Sequence, residues 1–213
     1  MDFTPNFSRR KFLQSTLAAG AALAGCSTDD EAAFTPIFNG QNLDGWEGDD
    51  LLWVVEEGIL IGRSPGIGYN DFLAATREYG DFVLRFDIHL VGNKGNSGVQ
   101  FRSRRMTGSM EMIGYQADAG EQYWASLYDE SRRRKTLAGP SEDVLAQALK
   151  VDDWNAYAVR ADGNHIQLSI NGVTTVDYTE AEAAIEQTGL IAVQIHSGPA
   201  MEVRFRKLRI REL

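Results

Sequence analysis

The 213-residue chain has a single cysteine, Cys26, and three histidines. One cysteine excludes an internal disulfide, so a fold made outside the cytoplasm must be held by its core alone. Long apolar runs are missing as well. The best candidate, residues 15–25, falls short of the roughly 20 residues that a membrane-crossing helix needs. Positive charge is in deficit: 21 Lys and Arg stand against 30 Asp and Glu, a formal charge of −9. That balance argues against a broad nucleic-acid-binding surface. No phosphate-cradling glycine loop, nucleophile elbow or HExxH pair occurs, which removes support for nucleotide, serine-hydrolase and zincin readings. Internal repeats and low-complexity tracts are also absent. With 43% hydrophobic and 10% aromatic residues, the chain has enough for the core of one domain.

What the N-terminus does contain is an ordered set of export features. "SRRKFLQ" (residues 8–14) is a twin-arginine run, and "STLAAGAALAG" (residues 15–25) is a short, weakly apolar segment. "LAGC" (residues 23–26) resembles the lipobox of bacterial lipoproteins. The expectation is a signal peptide over residues 1–25, export by the twin-arginine route and lipidation of Cys26. A polar tether over residues 26–33 then leads into a folded domain at residues 34–213. Such a protein resides in the cell envelope, periplasmic or surface-facing, with its lipid anchor in the membrane. Loss of Arg9, Arg10, Lys11 and Asp2 with the leader moves the formal charge from −9 to −11.

Beyond residue 34 the period-two signal of β-strands dominates. In "DFVLRFDIHLV", Phe82, Leu84, Phe86, Ile88 and Leu90 share one face, with Arg85, Asp87 and His89 on the other. "SGVQFRS" sets Val99 and Phe101 against Gln100 and Arg102. The polar alternates face either a ligand groove or bare solvent. Asn171-Gly172 and Asp162-Gly163-Asn164 are turn signals. Two short helices are expected, at residues 141–150 and at residues 179–187. The second begins with a Thr-x-x-Glu capping pattern. Many alternating strands in about 180 residues predict two stacked antiparallel sheets.

The motifs, taken in order, carry a family resemblance. "FTPIFNGQNLDGW", "WVVEEGIL", "YGDFVLRFDIHL" followed by "GNSGVQFRS", "WNAYAVRADGNHIQLSINGV" and "GLIAVQIHSGPAMEVRFRKLRI" are together similar to the 3-keto-disaccharide hydrolase domain family, over residues 34–213. The resemblance implies an all-β, two-sheet jelly-roll sandwich of the concanavalin A-like or laminin G-like kind. It implies action on glycosides oxidised at C3, which makes a sugar 3-dehydrogenase the metabolic source of substrate. Two positions depart from the family pattern. Tyr115-Gln116 stands where Glu-x-Gln is common, and Arg206-Lys207 where Arg-Asn is common. The first shifts weight onto Asp118 and Asp129-Glu130.

A ketone at C3 acidifies the C2 proton, so one base can form an enolate and the C1 substituent can leave by β-elimination. Such a site needs a base, an enolate stabiliser and an acid for the leaving oxygen. His196, at a strand end in "QIHSG", is the candidate base. Asp118 and Glu130 are candidate acid or base carboxylates, and Arg102 a candidate oxyanion stabiliser. Gln100, Gln116 and Gln194 are candidates for holding sugar hydroxyls, and Tyr123, Trp124 and Tyr128 for stacking on a sugar ring. Each has a packing alternative: His196 and Asp118 in turns, Glu130 paired with Arg132 or Arg133, Trp124 and Tyr128 in the core, Arg102 as a buried anchor. Trp46, Trp53 and Trp154 read as core. A divalent metal held by His196 with Asp118, Glu130 or His89 is a further expectation, although no tight ligand spacing supports it. Three functions remain open: a 3-keto-glycoside-cleaving enzyme, a non-catalytic carbohydrate-binding module, and a structural or adhesive domain.

Overall fold

A computed structural model describes residues 32–213; the twin-arginine run, the apolar segment and Cys26 lie outside the described residues. One antiparallel sheet contains β1 (Thr35–Pro36), β3 (Trp53–Glu56), β4 (Ile59–Ile67), β6 (Phe82–Leu90), β11 (Asn155–Asp162), β12 (His165–Ile170), β13 (Val173–Thr179) and β15 (Gly198–Glu212). The other contains β2 (Trp46–Glu47), β5 (Asp71–Tyr79), β7 (Asn96–Arg105), β8 (Met112–Gly120), β9 (Leu127–Glu130), β10 (Lys135–Ala138) and β14 (Gly189–Ile195). Their orders are β13-β12-β11-β6-β15-β4-β3, with β1 on β15, and β10-β9-β8-β7-β14-β5-β2. The two sheets form a jelly-roll sandwich. Among the described residues no helix is long and apolar enough to cross a membrane.

Strand alternation builds the core. Phe82, Leu84, Phe86, Ile88 and Leu90 of β6 all point inward and are buried. They meet Val99 and Phe101 of β7 and Ile191, Val193 and Ile195 of β14. Each fully buried aliphatic or aromatic side chain contributes about 1.5–3 kcal/mol, which suits a fold without a disulfide. Arg85, Asp87 and His89 take the outer face of the eight-stranded sheet, where Asp87 accepts from Arg206 (2.9 Å) and His89 meets Asp152 (3.0 Å). Trp46 and Trp53 are core residues. Trp154 is not; it lies beneath the Arg206 guanidinium, 4.1 Å from ring centroid to Cζ.

Of the two expected helices, one forms. Helix α1 (Glu142–Ala148) is capped by Ser141, whose side chain accepts from the Val144 N–H. Residues 179–187 do not form the other. Thr179 stays in β13, paired with His165. Glu180 is claimed from outside, by the Tyr115 hydroxyl (2.6 Å) and the Arg133 guanidinium (2.6 Å). Arg133 also binds the fully buried Asp129, which accepts from Arg132 as well. The arginine run therefore ties the β9–β10 hairpin to the end of β13. A local capping pattern loses to this buried network because breaking such pairs leaves uncompensated charge.

Candidate active site

The outer face of the seven-stranded sheet carries a row of polar side chains on β8, β7 and β14. Alternation turns Gln116 and Asp118 of β8 outward, while Tyr115, Ala117 and Ala119 enter the core. Gly98 of β7 pairs with Asp118. With no side chain there, Gln116 can lie across the strand: a Cβ at Gly98 would stand 2.9 Å from Gln116 Cγ. Gln116 Nε2 consequently donates to Asp118 Oδ1 (2.6 Å) and to Gln194 Oε1 (3.0 Å). Gln100 Nε2 donates to Gln116 Oε1 (2.8 Å), and Ser103 Oγ to Gln100 Oε1 (2.6 Å). The chain of donors ends on one oxygen of Asp118 and leaves the other available to carry a proton.

Above this floor lies a cleft of about 240 Å³, lined by Asn96, Gln116, Asp118, Tyr123, Tyr128, Glu130 and His196. Asp118 is only 3% exposed. Burial pushes its carboxyl up to about 8; the Gln116 hydrogen bond opposes the shift and the nearby Glu130 charge adds to it. At neutral pH this group is an acid, not a carboxylate. Glu130 is also raised, by burial and by repulsion from Glu111, with His196 acting the other way. His196 is placed by the end of β14, where its backbone N–H donates to Asn96 O. Its Nδ1 lies 2.7 Å from Ser197 O. A carbonyl only accepts, so Nδ1 carries the proton and Nε2 is the basic position of the ring.

Six of the residues singled out in the sequence therefore share the cleft: His196, Asp118, Glu130, Gln116, Tyr123 and Tyr128. Others do not. Gln100 and Gln194 are fully buried beneath it, so they support the floor rather than meet a sugar; Gln194 Nε2 finds no acceptor among the described residues. Trp124 is 2% exposed and packs in the core, its indole N–H donating to Asn93 Oδ1 (2.7 Å). Arg102 leaves the cleft altogether. It donates to Gly80 O, Gly163 O and Asp81 Oδ1 at the far end of the sandwich. The cause is a bulge. Gln100 and Ser103 of β7 pair with Ala192 and Leu190 of β14, and Phe101 and Arg104 with Tyr115 and Ile113 of β8, so β7 holds one extra residue against both neighbours. Arg102 adopts a positive φ of 46° there, and Ser103 instead shares the face of Gln100.

The expected metal set also changes. His89 lies on the opposite sheet from the cleft. Among the described residues no three His, Cys, Asp or Glu side chains gather in an arrangement that could hold a metal ion. Asn96, Gly98, Ser103 and Glu111 were missed in the sequence. For Gly98 a signal existed, because it continues the alternation of Gln100 on the outward face.

Solved structures with this fold include a candidate glycosyl hydrolase from Parabacteroides distasonis, with a TM-score of 0.66, 19% identity, 88% of this chain covered and 97% of that one. The carbohydrate-binding module CBM66 from Bacillus subtilis matches with a TM-score of 0.61 and 15% identity over 79% of this chain and 96% of the other. A β-glucanase from Bacillus licheniformis matches at 0.57 and 14%, covering 84% and 97%. No curated protein matches the chain in sequence. A family model does, over residues 33–211, and with it the chain belongs to the 3-keto-alpha-glucoside-1,2-lyase-like domain family.

Proposed function

We propose that this protein cleaves 3-keto-glycosides by β-elimination, with His196, Asp118 and Glu130 in separate roles. The observation that supports it most is the pairing, in one cleft, of a carboxyl held neutral with an imidazole whose tautomer is fixed. His196 Nε2 takes the C2 proton, and the C2–H electrons form the C2=C3 enolate. The neutral Asp118 donates a hydrogen bond to the developing enolate oxygen, a use of a protonated carboxylic acid that an apolar or buried setting makes available at neutral pH. This replaces the role expected of Arg102. As the enolate collapses, the C3 ketone re-forms, a C1=C2 double bond appears and the C1–O bond breaks. Glu130, its carboxyl raised by burial, supplies the proton to the leaving oxygen. Solvent then returns the proton from His196 to Glu130. Addition of water to the enone gives net hydrolysis.

Tyr128 and Tyr123 offer flat faces to the sugar, and Gln116 offers an amide to its hydroxyls. A sugar 3-dehydrogenase supplies the keto-sugar. The leader motifs support the further reading that the domain is exported folded and held in the cell envelope by lipid on Cys26.

The test is incubation of the purified domain with a 3-keto-disaccharide and with its unoxidised parent, following release of the leaving sugar and enone absorbance. Turnover of the keto-sugar alone, surviving a chelator, is expected. Binding of both sugars without turnover would replace the enzyme with a carbohydrate-binding module, the reading that the module-like neighbour and the half-exposed Tyr123 favour. Failure of both would leave an adhesive or structural domain.

A further inference from the structure

The cleft does not end at His196. A second compartment of about 360 Å³, lined by Gly95, Asn96, Glu121, Gln122, Tyr123 and Pro199, adjoins it, and Asn96 and Tyr123 line both. Resting on the lyase reading above, we propose that this compartment receives the leaving half of the substrate, and that it selects an uncharged sugar there against one bearing phosphate or carboxylate.

Three features carry the proposal. First, the junction is kept open by glycine. A Cβ on Gly120 would stand 2.6 Å from Nδ2 of Asn96, the residue that lines both compartments. Second, the wall is fixed although it faces solvent. The turn after β8 is closed by the Tyr123 and Trp124 N–H groups donating to Gly120 O, and Trp124 pins it to Asn93. Tyr123 is thus held at the junction with 47% of its surface exposed, a ring face for sugar C–H groups. The amides of Asn96 and Gln122 both donate and accept, as hydroxyl recognition requires. Third, the sign of the charge is uniform. Glu121 lines the second compartment, Glu130 is neutral as the proton donor of the first, Glu111 adds its negative field at Glu130, and among the described residues no Lys or Arg lines either compartment. Such a setting repels an anionic leaving group and tolerates a neutral one. The one Glu121 carboxylate about 4 Å from one added negative charge in a water-like medium reduces binding on the order of fivefold at low salt.

The experiment measures kcat/KM at low salt for glycosides that share one 3-keto-glucosyl unit and differ in the leaving group: methanol, a neutral hexose, a hexuronic acid and a hexose phosphate. The neutral hexose is expected to have a lower KM than methanol. The two anionic hexoses are expected to fall on the order of fivefold below it. High salt and Glu121→Gln should each narrow that gap. Equal kcat/KM for neutral and anionic hexoses, or a KM for the hexose no lower than for methanol, would overturn the second compartment while leaving the lyase reading in place. No turnover of any of the four would overturn both.

Discussion

Replacing Asp118 by Asn should stabilise the fold in a way that grows with pH, while removing most of the turnover. The variant keeps the shape, and its side-chain oxygen still accepts from Gln116 Nε2. What changes is the titration. The folded carboxyl titrates at about 8, against an ordinary value of 3.8. Between those values the unfolded chain has released the proton and the fold retains it. Stability from this group is complete below the unfolded value and is lost as pH rises towards the folded one. The loss is about 1.4 kcal/mol per pH unit, so about 2.7 kcal/mol between about pH 5 and 7, and it levels off above the folded value. This slope needs only a folded value above that window and an unfolded value below it. The amide of the Asp118→Asn variant does not titrate, so its advantage should widen by about 2.7 kcal/mol across the window, or about 5–11 °C in Tm for a domain of this size. Urea titrations of both proteins at the two pH values, followed by tryptophan fluorescence, measure it. A gap that stays constant would mean that Asp118 is already ionised in the fold, and its role as hydrogen-bond donor to the enolate would fall with it.

The other predictions follow from the same geometry. His196→Ala should lower kcat by about 10²–10⁴ with little change in Tm, because the ring's hydrogen-bond contacts among the described residues are confined to Ser197; normal turnover would exclude it as the base. Gly98→Ala forces a methyl to within 2.9 Å of Gln116 Cγ and 2.7 Å of Ala117 O. It should cost about 1–3 kcal/mol in a denaturation assay and lower kcat by displacing the amide from Asp118. Cys26→Ser should release the mature protein from the membrane fraction; unchanged retention on fractionation would exclude lipid at that residue.

The sandwich was legible because alternation on β6 and β14 is nearly unbroken and each strand repeats the same apolar choice at every second residue. His196, Asp118 and Glu130 were legible as chemistry, since titratable side chains at strand ends and near turns stand out against that background. Their convergence was not. It depends on β9, β8, β7 and β14 lying side by side, and the β7–β14 neighbour pair crosses 83 residues of intervening chain, those between Arg105 and Gly189. Trp124 misled because an aromatic beside Tyr123 looks like a second stacking surface; its indole N–H found a partner inside, which is what allows a tryptophan to be buried. The helix expected near residue 180 failed for a tertiary reason, the capture of Glu180 by Tyr115 and Arg133, that no local pattern contains.

Arg102 shows most clearly how the fold chooses its chemistry. Strict alternation after Gln100 would have turned its guanidinium onto the cleft face, within one strand of Asp118. A fixed cation on that face favours the ionised carboxylate and lowers its titration. Asp118 would then be charged over more of the neutral range, and the hydrogen bond it offers a developing enolate would be weakened. The extra residue in β7 prevents this by sending Arg102 to Asp81 and the carbonyls of Gly80 and Gly163, and by seating the small Ser103 beside Gln100. The bulge needs close backbone approach on both sides. A Cβ on Gly114 would stand 2.1 Å from Ser103 Oγ, and one on Gly189 would stand 2.6 Å from the Ser103 backbone N. Two glycines on neighbouring strands thus admit a parity shift on β7, and that shift keeps a cation out of a site whose acid works only while it stays neutral.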